Sequence, residues 1–267
     1  YTIYARHILK LVPLDPVDTL PGARDRGSAL HKAVGDYTEA FAAGLPPQPL
    51  EELLARGKTA FAPLEDFPEA KAFWWPRFVR AAQWFVNWDE ERRKAIAAMH
   101  AEVDGKYDID LGGRTFRLTT RADRIERSAD GSVAILDYKT GTIPSPRQVQ
   151  IGLSPQLTLE GAILRRGGFE GIPPGPFLRG FAFGGVQGGE PGGFERPGGL
   201  KEGTPDEHAD RALERLIDTL KRFEDETQGY PSLILPMWRT RYGDYDHLAR
   251  VKEWSETAGE PGEGRPP

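Results

Sequence analysis

Apolar residues recur every three or four positions through much of the first hundred residues, and then the period changes. From Arg26 to Phe41 the apolar positions are Ala29, Leu30, Ala33, Val34, Tyr37 and Phe41. That spacing predicts an amphipathic helix with one buried face. Residues 1–11 predict a shorter helix carrying Ile3, Tyr4, Ile8 and Leu11, before Pro13, Pro16 and Pro21 interrupt the chain. Leu50 to Phe61 predicts another helix. A long aromatic helix follows over residues 68–98, with Phe73, Trp74, Trp75, Phe78, Trp84, Phe85 and Trp88. Pro76 is expected to kink or restart it. The aromatic cluster reads as core packing, and the charged run Asp89 to Lys94 as a solvated face.

Near His100 the pattern becomes one of alternation. Residues 101–111, 114–127 and 132–139 read as three strands, with Gly112-Gly113 and Asp130-Gly131 marking tight hairpin turns. Val133 to Leu136 is apolar on both faces, as a central strand is. Pro144 and Pro146 then interrupt the chain. Ser154-Pro155 reads as an N-cap with proline following, opening a helix from Gln156 to about Arg166. A strand is predicted near Phe177 to Val186, and the Gly- and Pro-rich residues 187–203 as a loop or loose hairpin. Thr204-Pro205-Asp206-Glu207 is a capping box opening a helix with Leu213, Leu216, Ile217, Leu220 and Phe223 on one face. A last helix is predicted from Tyr242 to about Trp254, with a disordered tail at 259–267. The expected organisation is therefore a helical part over 1–100 and an α/β part over 101–258.

Composition narrows the chemistry. The chain has 267 residues, 39% hydrophobic and 28% charged, which suits a folded globular protein. No apolar run reaches the ~18 residues of a membrane span, so no membrane partner is expected. There are no cysteines, which removes disulfides, thiolate zinc sites, iron–sulfur clusters and a thiol nucleophile. No signal peptide is visible, and a cytoplasmic setting is expected. The absent initiator Met suggests a piece of a longer chain. A net charge of −5 gives no general attraction to nucleic acid.

The chemistry gathers around Leu136-Asp137-Tyr138-Lys139-Thr140-Gly141. Strand alternation puts Asp137 and Lys139 on one face and Tyr138 on the other. In the preceding strand it puts Arg121, Asp123 and Ile125 on one face, and Arg124 and Glu126 on the other. The Asp130-Gly131 turn pairs these strands, so Asp123 and Asp137 are candidate neighbours. Two close carboxylates repel unless a cation lies between them, and a hard divalent ion is the natural one. His31, from the first long helix, is a candidate nitrogen ligand, although a helical histidine beside an apolar stripe is more often a packed or capping residue. Lys139 can orient a water or stabilise charge on a phosphate. Gln156 opens the next helix, whose N-terminus favours an anion. The bland alternative is that Asp137 and Lys139 form an ordinary surface ion pair. Asp108 and Asp110 read as solvated surface. No P-loop, dinucleotide fingerprint, His-Glu-x-x-His or Gly-x-Ser-x-Gly is present.

Four blocks occur in order: Gly27-Ser28-Ala29-Leu30-His31, Arg121-Ala122-Asp123-Arg124-Ile125, Leu136-Asp137-Tyr138-Lys139-Thr140-Gly141 and Pro155-Gln156-Leu157. Together they resemble the RecB-type branch of the PD-(D/E)XK nucleases, and within it the nuclease domains of the AddB family, subunits of bacterial AddAB helicase–nucleases. The resemblance implies a restriction-endonuclease-like α/β fold, a mixed central sheet flanked by helices. It implies that His31, Asp123, Asp137 and the Tyr138 carbonyl hold Mg2+ (or Mn2+), that Lys139 is catalytic, and that Gln156 serves the site. It further implies DNA as substrate and an AddA-type helicase–nuclease subunit as partner, in an exonuclease acting in double-strand break repair and recombination. Arg121, Arg147, Gln156 and Arg165 are the candidate DNA contacts. Two departures stand out. The cysteines that hold an iron–sulfur cluster in many AddB domains are absent, so packing must join the chain ends, with Trp238, Tyr242, Tyr245 and Leu248 as candidates. Glu160 stands where the family often has tyrosine, which puts a DNA-contact role there in doubt. The alternative reading is a non-catalytic DNA-binding or assembly module that keeps the fold.

Overall fold

The structure is a computed structural model and describes residues 1–12, 14, 20–64, 66–173, 178–186, 188–198, 202–232 and 245–250. The chain divides into two compact units, Leu20–Leu220 and a smaller one of Tyr1–Thr19 with Lys221–Pro267.

Within the larger unit, three helices come first: α1 (Ala23–Ala40), α2 (Pro49–Ala60) and α3 (Pro68–Arg93). The strands are β1 (Ala98–Asp110), β2 (Thr115–Arg127), β3 (Val133–Lys139), β4 (Leu178–Val186) and β5 (Gly193–Pro197). Between β3 and β4 lie α4 (Pro146–Gln150) and α5 (Gln156–Arg165); α6 (Pro205–Phe223) closes the series, its last three residues counted with the smaller unit. Among the described residues the sheet has five strands in the order β1-β2-β3-β4-β5. β1, β2 and β3 run antiparallel in succession, β3 and β4 pair in parallel, and β5 returns antiparallel to β4. The parallel pair needs a crossover, and α4 and α5 supply it. The result is a mixed sheet flanked by helices, an α/β fold of the kind the resemblance implies.

Each face of the sheet buries its own core. Tyr138 and Val186 on one face pack with Leu30, Val34, Tyr37, Leu53, Phe78 and Phe85 of α1–α3. The other face carries Ile125, Val133, Ile135, Phe181 and Phe183 against Leu157, Ile163 and Leu164 of α5 and Leu213 of α6. β3 is buried along almost its whole length because both faces are covered.

Several expectations are corrected. The helix over 1–11 is a single wide turn, Tyr4–Ile8, with Ile3, Ile8 and Leu11 exposed. α3 runs through Pro76 without a break and stops at Arg93, so β1 begins at Ala98, ahead of His100. Proline in a helix interior costs about 3 kcal/mol; burial of Trp74, Phe78 and Phe85 from the same helix offsets that loss. Asp89 is not on a solvated face: it is fully buried and ion-paired to Arg124 at 2.6 Å and to Arg93 at 2.9 Å. The chain after Pro144 is not merely interrupted, because Ser145 and Gln148 cap each other around α4. Ser154 does not cap α5; Pro155 takes that position. The capping box of α6 forms as expected, Thr204 and Glu207 exchanging hydrogen bonds of 3.0 and 3.2 Å.

In the smaller unit, Tyr4 stacks on Tyr230 at 5.9 Å and Tyr230 on Phe223 at 4.8 Å. Tyr245 is buried and its hydroxyl donates to the Leu11 carbonyl at 2.7 Å, so aromatic packing joins the chain ends where no cysteine could. Leu248 is exposed, while Trp238 and Tyr242 lie outside the described residues, as do most of the predicted last helix, the tail and Phe177. No helix among the described residues is long and apolar enough to cross a membrane.

Candidate active site

The antiparallel register of β2 and β3 sets the frame. Arg124 pairs with Leu136, so the next step along both strands brings Asp123 opposite Asp137. The backbone N–H of Tyr138 donates to Asp123 Oδ2 at 2.7 Å, which ties the two strand ends together. Alternation does the rest. Tyr138 turns toward α3 and meets Phe85 and Trp88 edge-on, at 5.5 and 6.3 Å. Arg124 and Glu126 turn the same way and are fully buried with Asp89, Arg124 lying between the two acids at 2.6 and 2.7 Å. Asp123, Asp137 and Lys139 face the opposite side.

There the side chains form one connected set. His31, from α1, lies with Nε2 3.1 Å from Asp123 Oδ2. Lys139 Nζ is 2.8 Å from both carboxylate oxygens of Asp137 and hydrogen-bonds Oδ1. The Gln156 amide donates to Asp137 Oδ1 at 2.6 Å, and its Oε1 accepts from Lys139 Nζ at 3.1 Å. Glu160 lies one turn further along α5; its Oε1 accepts from Thr120 Oγ1 at 3.1 Å and from the Gln156 amide at 3.3 Å. Opposite Asp123, the paired register of β1 passes over Glu102, which holds a left-handed backbone at φ 50°. A non-glycine residue there costs about 1–3 kcal/mol, and such strain gathers at functional sites.

The electrostatics are those of crowded acids. Burial raises the Asp137 carboxyl above its ordinary range, and the neighbouring Asp123 raises it further. Burial also pushes Glu160 up to about 8, with the Asp137 charge adding to it. The hydrogen bond to Asp123 raises the His31 imidazole. Oε2 of Glu160 is buried with no hydrogen-bond partner, whereas the buried Oδ2 of Asp137 has the Lys139 ammonium 2.8 Å away.

Carboxylates beside one imidazole make a donor set suited to a hard divalent cation. Among the described residues no three His, Asp or Glu side chains form a ready-made cage. The groups are instead drawn onto one another: Asp123 onto His31 and the Tyr138 N–H, Asp137 onto Lys139 and Gln156. The crowding of Asp123, Asp137 and Glu160, with Glu160 Oε2 buried and without a donor, is the observation that fits a missing positive charge.

The structure therefore brings together His31, Asp123, Asp137, Tyr138, Lys139 and Gln156. The remaining candidates are placed differently. Arg121 is exposed on β2 and pairs with Glu102 at 2.8 Å. Arg147 is exposed on α4. Arg165 sits at the far end of α5, roughly 14 Å along the helix from Gln156, and pairs with Asp206 and Asp210 of α6. Sequence reasoning missed Thr120, and it treated Glu160 only as a departure. The four-residue spacing from Gln156 to Glu160 was visible; the strand that packs against that helix face was not.

The family model described as the PD-(D/E)XK nuclease superfamily matches residues 2–239. Among curated proteins, one from Rickettsia bellii is 31% identical over 169 residues, 63% of this chain and 20% of that protein. One from Rickettsia conorii is 30% identical over 177 residues, 63% of this chain and 21% of that protein. Both carry the description uncharacterized protein. The chain spans about a fifth of the length of the curated relatives it matches. Among solved structures, the crystal structure of SSO0001 is 12% identical, covering 92% of this chain and 93% of that one at a TM-score of 0.35.

Proposed function

The chain belongs to the PD-(D/E)XK nuclease superfamily, and from that premise and the site above we propose that it is a Mg2+-dependent deoxyribonuclease that hydrolyses phosphodiester bonds. The observation that carries this reading is Asp137: a buried acid held by Lys139 and Gln156, directly beside the Asp123–His31 pair. His31, Asp123, Asp137 and the Tyr138 carbonyl would hold the ion. Bound there, a divalent cation supplies Lewis-acid stabilisation and lowers the pKa of a water.

The chain's own residues do the rest. Lys139 keeps its ammonium at the mouth of the acid pair, where it can orient a water or meet charge growing on a phosphate. Gln156 fixes both Lys139 and Asp137 through one amide, so the two cannot drift independently. Arg121, Arg147 and Arg165 remain the proposed contacts to the DNA backbone, with Arg121 and Arg147 the more exposed. The four ordered sequence blocks support a finer reading: an AddB-like exonuclease domain, in the cytoplasm, working beside an AddA-type helicase–nuclease subunit in double-strand break repair and recombination. The small share of its relatives' length that the chain spans suits a domain of a larger protein.

The test is an assay on single-stranded DNA with Mg2+ or Mn2+. The wild type is expected to cut and Asp137→Ala to lose cutting. Equal cutting by the two proteins would sink the mechanism.

A further inference from the structure

Crowded acids repel a phosphate, and two of the arginines named above are already matched, Arg121 by Glu102 and Arg165 by Asp206. A cleft of about 490 Å³ adjoins the acids and has the opposite character. It is lined by Arg24, Gly27, Ser28 and Lys32 of α1, and it shares His31 and Thr140 with the site. No acid among the described residues lines it. Two links hold it in place. His31 Nε2 lies 3.1 Å from Asp123 Oδ2, and Thr140 directly follows Lys139. Gly27 permits the approach: a Cβ there would fall 2.7 Å from Thr140 Oγ1, so any side chain would push α1 off the end of β3.

The charges of the cleft are available. Arg24 is exposed and has no ion pair among the described residues. Lys32 pairs with Asp36 one turn along the helix at 2.8 Å, and both side chains are largely exposed. Such a surface pair contributes little and gives way easily to a stronger anion. A guanidinium fork, an ammonium and two hydroxyls together suit an anion with several acceptor oxygens. The volume falls in the roughly 300–1,000 Å³ range of ligand sites, which is room for a phosphate with its sugar. The larger cleft at the edge of β1 does not compete: Asp104, Asp108 and Glu170 line it beside Lys106 and Arg166.

We propose that this cleft holds a backbone phosphodiester of the DNA strand next to the bond that is cut, with Arg24 and Lys32 supplying charge and Ser28 and Thr140 hydroxyl donors. This rests on the reading that the adjoining acids cut DNA. It gives a chain of net charge −5 a local attraction where the strand must lie. It also sets the direction of the strand's approach, across α1 and past His31 to Asp137.

The experiment is fluorescence anisotropy of a labelled single-stranded oligonucleotide, in EDTA so that nothing is cut, across a KCl titration starting at low salt. Each phosphate contact on a single strand steepens the fall of log affinity with log salt by about 0.7. Arg24→Gln and Lys32→Gln should each lower the slope by about that much, and should weaken binding equally for oligonucleotides of different base sequence. Lys58→Gln, which removes the same charge from an exposed position on α2, should leave the slope unchanged. Unchanged slopes in Arg24→Gln and Lys32→Gln overturn the inference, as does an equal loss in Lys58→Gln. An effect confined to oligonucleotides with a terminal phosphate overturns the assignment to a diester. Cutting gives a second readout: with Mg2+, Arg24→Gln should raise KM and leave kcat nearly unchanged, as lost uniform binding does. A wild type that cuts while both variants keep its slope and KM removes the cleft and leaves the nuclease reading standing. Lower slopes in the variants of a wild type that cuts nothing with Mg2+ or Mn2+ keep the phosphate site and remove the nuclease reading.

Discussion

Lys139 and Asp137 stand two residues apart on one strand face and are matched at 2.8 Å. The ammonium is not a metal ligand, so its removal should separate chemistry from binding. Lys139→Met is expected to lower DNA cutting by about 10²–10⁴-fold, the usual worth of a positioned proton-transfer group, while Mn2+ still binds. A nuclease assay run beside a metal titration checks both halves. The acids make a separate prediction about pH. Glu160 ordinarily titrates at 4.5 and burial pushes it up to about 8. Between those values the folded chain keeps a proton that the unfolded chain has released. Stability of the metal-free protein should therefore fall as pH rises through that window, by up to about 1.4 kcal/mol per pH unit for one proton. Asp137 and His31 are also raised and bend the curve the same way. Glu160→Gln should flatten the fall. Denaturation midpoints in EDTA, from about pH 5 to about pH 9, measure it; equal slopes in the two proteins would contradict the assignment.

Among the elements, α3 and β2 are locked by charge as well as by aromatic packing. Arg124 is fully buried between Asp89 and Glu126, and Arg92 reaches Glu126 at 2.7 Å. Arg124→Met would remove the buried cation that Asp89 and Glu126 share, leaving them only Arg93 and Arg92, and should cost about 3–5 kcal/mol, read as a lower denaturation midpoint. The network lies behind Tyr138, so it holds the strand that carries Asp137 and Lys139. Closer in sequence, α2 and α3 touch at Gly57, where a Cβ would fall 2.0 Å from a Phe78 ring carbon. Gly57→Ala should cost about 1–3 kcal/mol by overpacking and leave Mn2+ binding unchanged. Thermal melts with and without Mn2+ check this. Periodicity made α1, α2, α3, α5, α6 and the first three strands legible, because each buries one face or two. It did not reveal α4, whose single turn is too short to show a period, and it placed no register on β5.

Across the whole chain, 40 acids outnumber 35 lysines and arginines. Several arginines are neutralised locally, Arg121 by Glu102 and Arg165 by α6. Isolated from any larger assembly, the protein should bind single-stranded DNA only as a nonspecific binder does, at about 10⁻⁴–10⁻⁶ M in physiological salt. Fluorescence anisotropy across a salt titration tests this; nanomolar binding would contradict it.

The sequence by itself determined the central strand and its chemistry. Asp137, Tyr138 and Lys139 sort onto opposite faces because alternation in a strand is a local rule, and the Asp130-Gly131 turn then brings Asp123 to Asp137. His31 and Gln156 entered through their place in ordered blocks, and the fold set them at 3.1 and 2.6 Å from the two acids. Only the tertiary structure decided the rest. Asp89 looked like surface because its helix end is rich in charge, yet Arg124 meets it from a strand 35 residues away in sequence. Arg165 left the site because α6 folds back against its end of α5. Glu160 joined the site for the converse reason: β2 places Thr120 beside it, and packing on the sheet excludes the water that would otherwise hydrate its second oxygen. Burial and pairing between distant segments leave no period in the chain, so these assignments had to wait for the fold.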